Sequence, residues 1–270
     1  MRRIPLPALC GCVVLAAYVI AAVFAPLIAP YGVDAVVGDV WEPGSGRFLL
    51  GTDNIGRDLL SRLIWGGRTT ITVAFAATLI SFVLGSVLGL FAAVVGGVVD
   101  QLLSRFVDLV MAVPTLIFAL VVLSVMPVTI PVLIVVMGLL DATRVFRLSR
   151  AVAVDLAVMD FVEAARLRGE GRGWVIFREI LPNALSPLIA EAGMRFIFMV
   201  LFVSTLSFLG LGIQPPAADW GGIVKENKDG IVYGIPAALL PAVAIAALAI
   251  AVNLVADWML DRTSSLKGGR

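Results

Sequence analysis

The chain has 270 residues, 60% of them hydrophobic and only 14% charged, with a formal net charge of +1. A soluble domain normally carries about 25% charged residues, so this composition excludes an ordinary soluble globule. The 17 Arg and 3 Lys are dispersed rather than clustered, which speaks against a nucleic-acid-binding surface. No histidine is present, which removes the commonest general base and the commonest metal ligand and disfavours a membrane enzyme. Cys10 and Cys12 lie two apart inside an apolar run. Such neighbours are poor disulfide partners, no further Cys completes a metal site, and they read as small residues in a span.

Several apolar runs reach about 20 residues, the length that crosses a bilayer as a helix. Arg2 and Arg3 precede the first, residues 8–30, which is too long for the core of a cleaved leader and is expected to be an uncleaved first span. Residues 31–70 are mixed and polar and form an extracellular or periplasmic segment. Within it, Asp58, Arg62 and the apolar Leu59, Leu60, Leu63 and Ile64 suit a short amphipathic helix at the membrane surface, or a structured loop that touches an extracellular partner. The second span is expected over 71–95, where Gly85 and Gly89 form a GxxxG spacing that permits close helix contact.

The third span is expected over 109–126 with Pro114 as a kink, and the fourth over 132–146. Asp141 lies near the inner end of the fourth, with Arg144 and Arg147 as its nearest candidate partners, which favours a structural ion pair. The fifth span is expected over 188–211. In it Glu191 and Arg195 are four apart and share a helix face, so they are expected to neutralise one another. Ser204, Thr205 and Ser207 either bond back to the helix or face a polar path. Residues 213–236 form an outer loop containing Trp220, and the sixth span is expected over 237–259, followed by a short tail over 259–270. With both termini inside, the inner segments hold thirteen Lys and Arg and the outer ones six. That asymmetry supports an all-α membrane protein of six spans whose large loop, 147–187, is cytoplasmic.

This loop holds Asp160, which is expected to cap a helix with Glu163 three residues on. Ala164, Ala165 and Leu167 favour helix, and Gly169 suits a left-handed helix end. A second short helix is expected over 174–181, ending before Pro182.

At this point a family becomes visible. Glu163-Ala164-Ala165, three residues, Gly169 and then Leu181-Pro182 resemble the EAA loop of ATP-binding-cassette importer permeases. GTDNIGRDLLSRLIWGGR from Gly51, RFVDLVMAVP from Arg105 and LSFLGLGIQPPAADWG from Leu206 resemble segments of the dipeptide, oligopeptide and nickel group, specifically its C-type subunit. The resemblance covers about residues 47–258. Glu179 stands where many members have His, Val203 where an acidic residue is frequent, and Ala256 where a glycine is usual.

The resemblance implies the type I importer permease fold with six transmembrane helices, in the bacterial plasma membrane. It implies docking of the loop, through Glu163, Ala164, Ala165, Gly169, Leu181 and Pro182, onto ATP-binding subunits. Those partners, not this chain, would bind ATP and Mg, because the sequence has no phosphate-loop motif and no cofactor site of its own. A second homologous permease and an extracellular substrate-binding protein are the other implied partners, the latter with Asp53, Arg57, Asp58 and Trp220 as contact candidates. The implied cargo is short peptides, with nickel or another small solute as the alternative. An ion-coupled secondary transporter would use Asp141, Glu191 and Asp257, which lie toward the inner ends of their spans rather than at the midplane.

Overall fold

A computed structural model describes residues 5–267, with side chains through Met259. Arg2, Arg3 and Arg270, which contribute to the charge asymmetry, lie outside the described residues, and Arg262 and Lys267 outside the described side chains. Among the described residues there is no strand; the elements are helices and two isolated bridges. That is the solution a lipid environment imposes, because a helix satisfies its own backbone N–H and C=O groups.

The chain opens with α1 (Leu6–Val23) and a short α2 (Ala25–Ile28). Helix α3 (Leu59–Val95) begins where the Asp58 carboxylate accepts the Ser61 N–H at 2.7 Å. Residues 59–68 are therefore the first turns of one 37-residue helix, not a separate surface helix. After Gly96 come α4 (Gly97–Met111) and α5 (Thr115–Val125), which meet at 81°. The expected third span is thus broken, not merely kinked. Pro114 has no N–H to offer and steers Val113 away from helical geometry, so the break falls there.

Helix α6 (Ile130–Ala157) runs eleven residues beyond the expected limit at 146, because Ser149 and Ala153 continue its buried face. Below it lie α7 (Asp160–Leu167) and α8 (Arg172–Trp174). The N-cap of α7 is Met159, without a side-chain bond, so Asp160 sits in the first turn and forms no capping box with Glu163. From α8 the chain passes through a π turn (Val175–Ile180) directly into α9 (Leu181–Leu209). Pro182 does not end a helix, since it falls in the first turn of α9, where a missing N–H is tolerated. The fifth long helix therefore begins in the loop, at Arg172, rather than at 188. Helix α10 (Trp220–Asn227) and two 3-10 turns lead to α11 (Leu239–Lys267).

Among the described residues, four helices are long and apolar enough to cross a membrane, and the bent α4–α5 pair makes a fifth candidate. Helix α6 is long enough, but Asp141, Arg144 and Arg147 fall within one 18-residue stretch of it.

Helices α3 and α6 run parallel in register, Gly85 facing the Ala142–Phe146 stretch and Gly89 the Phe146–Arg150 stretch. A Cβ on Gly85 would stand 2.7 Å from the Ala142 carbonyl oxygen, and one on Gly89 2.6 Å from that of Phe146. The GxxxG spacing thus lets two backbones touch. Gly89→Ala is expected to lower stability by about 1–3 kcal/mol, because the obstacle is backbone and cannot rotate away. Gly173→Ala, with open space around its Cβ, should not destabilise. Thermal unfolding of both variants in detergent measures the difference.

Candidate functional site

Three groups of polar residues stand out against the apolar body: the 158–182 loop, a charge cluster between α6 and α9, and a cap around α10. The loop is not a solvated tether. Val162 and Ala165 of α7 are fully buried with Val175, Ile180 and Ala184 against Leu90 of α3 and Ala153 of α6. Amphipathic spacing explains this, since 162 and 165 are three apart and share one face.

The opposite face carries Glu163, Ala164 and Leu167, all exposed. Ala165 was expected at a partner contact together with Ala164, but the structure turns it inward. Gly169 ends α7 at φ +83° with nothing near its Cβ position, so it is needed for its left-handed backbone, not for space. Leu181 is half-buried and Pro182 exposed. Glu179 lies 3.5 Å from Arg168, whose guanidinium also sits over Trp174 at 5.6 Å. Phe177, Leu167 and Val158 leave apolar surface uncovered around this loop.

In the second group, Asp141 is buried and accepts the Ser81 hydroxyl at 2.9 Å. Its cationic neighbours are Arg195 at 3.5 Å and Arg144 at 3.8 Å. Arg147 is not a partner; it reaches Asp108 of α4 at 3.4 Å. Arg195 also bonds Glu191 at 2.6 Å, and Arg144 lies 4.6 Å from the Phe198 ring centroid and bonds Thr115. Two acids and two arginines cancel, so these four charges, shared between α6 and α9, carry no formal net charge. Of the hydroxyls on α9, Thr205 bonds back to Leu201 and Ser207 accepts the Ile213 N–H, whereas Ser204 Oγ has no partner among the described residues.

The cap brings residues 31–58 against α10. Asp53 is fully buried and binds Arg57 and Arg62, each at 2.6 Å. Glu226 of α10 closes the ring, 2.5 Å from Arg57 and also bonded to Arg62. Burial pushes the Asp53 carboxyl up. Backbone N–H bonds from Arg57 and Ile55, the Arg57 charge and the Arg62 bond outweigh that and hold it below the usual carboxylate range.

Asn227 ties the same region together, accepting from the Trp41 indole at 3.3 Å and the Asn54 N–H at 3.0 Å. The Trp220 indole donates to the Leu63 carbonyl at 3.0 Å, and its ring packs on Gly67. Asp53, Arg57, Asp58 and Trp220 are therefore not available to a partner at this surface: all four are committed to internal bonds, and none is exposed. Val232, Tyr233 and Leu49 are the exposed apolar residues of this end instead. The sequence offered no sign of Glu226, which pairs across 169 residues. Asp219 was findable as an N-cap before a Gly-Gly helix start; it accepts the Gly221 and Gly222 N–H groups.

Residues 85–265 match the family described as binding-protein-dependent transport system inner membrane component. The chain is 34% identical over 261 residues to the di/tripeptide transport system permease protein DppC of Pseudomonas aeruginosa, covering 94% of this chain and 86% of that one. It is 31% identical over 261 residues to the dipeptide transport system permease protein DppC of Haemophilus influenzae, covering 94% and 88%. To the glutathione transport system permease protein GsiD of Pectobacterium atrosepticum it is 30% identical over 220 residues, covering 82% and 73%.

Two outcomes follow from the cap. Arg62→Met leaves two buried or half-buried carboxylates short of a cation, and is expected to lower stability by about 3–5 kcal/mol in thermal or denaturant unfolding. Burial pushes the Asp219 carboxyl up to about 6, against hydrogen bonds from Ser207, Gly222 and Gly221 that favour the charged form. The folded chain then holds this proton more tightly than the unfolded one, so this group's contribution is full below 3.8 and declines as pH rises through about 6. Asp219→Asn keeps an acceptor for the cap and should flatten that decline in unfolding midpoints measured across the window.

Proposed function

The chain belongs to the family of binding-protein-dependent transport system inner membrane components, and on that premise we propose that it is the membrane-spanning permease subunit of an ATP-driven importer of short peptides. The peptide assignment is supported by the relatives, whose names specify di- and tripeptides, dipeptides and glutathione. ATP chemistry belongs to separate subunits in this reading, since the chain has no phosphate-loop sequence. The remaining partners are a second, homologous permease and an extracellular or periplasmic substrate-binding protein.

We read α6 as a span alongside the five candidates, giving six with both termini cytoplasmic. Its three charges do not oppose this. Asp141 is covered by Ser81, Arg195 and Arg144, and Arg147 pairs with Asp108. The same pairing disfavours ion-coupled transport through Asp141 and Glu191, because each acid already has its counter-charge within the chain.

The single observation that carries the reading is the build of the 158–182 loop. It is clamped to the inner ends of α3 and α6 by a buried apolar face, while Glu163, Ala164 and Leu167 project outward from α7. A rigid mount with an uncovered outer face is what a force-transmitting contact needs. Through it, closure of the ATP-binding subunits would move α9, which is continuous with the loop. Glu163, Ala164, Gly169 and Pro182 are the proposed contacts, with Ala165 and Leu181 supporting them from behind.

Gly169→Val forces a β-branched residue into left-handed geometry at about 1–2 kcal/mol or more. It is expected to abolish peptide uptake and weaken co-purification of the ATPase while leaving membrane insertion intact. Gly169→Asn tolerates that geometry better and should retain a substantial part of both. Normal uptake by the Val variant, or equal loss in both, would refute the role assigned to the loop.

A further inference from the structure

Helix α4 presents three distinct faces. Asp100 and Asp108 hold it to α6, the first bonding Arg150 at 2.6 Å and the second Arg147 at 3.4 Å, with Val107 buried beneath. Val98, Leu102, Phe106 and Leu109 form a second face, an apolar arc of about 80° at helical spacing. All four are strongly exposed, Val98 by 79% and Leu109 by 70%. Gln101 and Arg105 make a third, polar face beside it, also exposed. Among the described residues Arg105 has no ion pair.

The setting of the helix says what covers the apolar arc. It lies at 81° to α5, so if α5 runs across the bilayer, α4 runs close to the membrane plane. Its two ion pairs place it at the level of Arg147 and Arg150 on α6, about two turns below Asp141, where a run of arginines marks the approach to the cytoplasm. Beyond the bend, Ile117, Val121 and Val125, four apart on α5, are likewise exposed and form an apolar stripe along that helix.

We propose that α4 is an interfacial helix seated in the cytoplasmic leaflet. Its apolar arc lies in the acyl chains, Gln101 and Arg105 face the phosphate groups and water, and the two acid–arginine pairs set its depth. A helix with these faces binds a lipid surface by apolar burial and by attraction of its cation to anionic headgroups. This inference rests on the six-span reading above, through the orientation of α5.

Spin labels at residues 98, 102, 106 and 109, one at a time in a Cys10→Ser/Cys12→Ser background, test it. The assembled transporter, with cysteine-free partner subunits, is reconstituted into phosphatidylethanolamine–phosphatidylglycerol vesicles. Collisions with oxygen, which enters lipid, are compared with collisions with a water-soluble nickel chelate. Several-fold preference for oxygen is expected at all four positions, as at Val121, with the reverse at Gln101 and Arg105.

Nickel chelate reaching the four positions as readily as it reaches Gln101 would overturn the proposal. Exclusion of both reagents, the mark of a covering protein subunit, would do so equally. Nickel access at Val121 as well would remove the span reading and the proposal with it. A photoactivatable phospholipid checks the unsubstituted chain. Cross-links within 98–109 are expected, and cross-links confined to 117–125 would contradict the seat assigned to α4.

Discussion

The close approach of α3 and α6 is the constraint from which the rest of the structure is hung. Between helices in lipid no hydrophobic drive is available, because acyl chains are as apolar as leucine; contact must come from dispersion and polar bonds at short range. Gly85, Gly89 and Gly138 supply the short range, and Ser81 with Asp141 supplies the polar bond. Once these two helices lie parallel, the chain between them must return the way it came. It does so through α4 and α5, and the turn at Pro114 decides where the return begins. The lower ends of the pair then offer Leu90 and Ala153 as a floor for α7. The loop's position is thus a consequence of glycines tens of residues away in sequence.

Charge is handled differently at the two ends. At the end nearer the 158–182 loop, single acids on α4 and α6 meet arginines on α6 and α9, each pair joining two helices. At the opposite end, beside α10, four charges are gathered into one ring that is largely shut off from water. Two arginines sharing two carboxylates cancel the ring, and the backbone N–H groups around Asp53 add support that does not depend on any side chain. The first arrangement positions helices against one another. The second fixes an irregular segment of the chain onto a helix that follows it by some 170 residues.

The sequence read well where one residue type has one physical meaning. Apolar length announced membrane spans, the Gly85–Gly89 spacing announced a close contact, and Gly169 announced a left-handed turn. It read poorly where meaning depends on what lies across the fold. Arg57 and Asp53 looked like a surface available to a partner, because nothing local reveals Glu226 closing over them. Ala164 and Ala165 look equivalent in sequence, but a helical step of about 100° sends one outward and the other into the core. Proline misled in both directions. Pro114 breaks the chain more sharply than a kink, while Pro182, expected to stop a helix, is absorbed in the first turn of one. The spacing EAA to Gly to Leu-Pro located the loop, but it could not tell that the last part of the motif already belongs to a long helix.

That continuity gives the chain a mechanical property. The helical run from Arg172 to Leu209 counts 38 residues, about 57 Å at 1.5 Å per residue. The π turn at Val175–Ile180 and Pro187 both lie in its first half, nearer the 158–182 loop. From Leu188 outward the rod is uninterrupted, and at its far end the backbone of Gly221 on α10 rests directly against the Ser204 carbonyl. The rod that starts in the 158–182 loop thus ends packed against α10, the helix that carries Glu226.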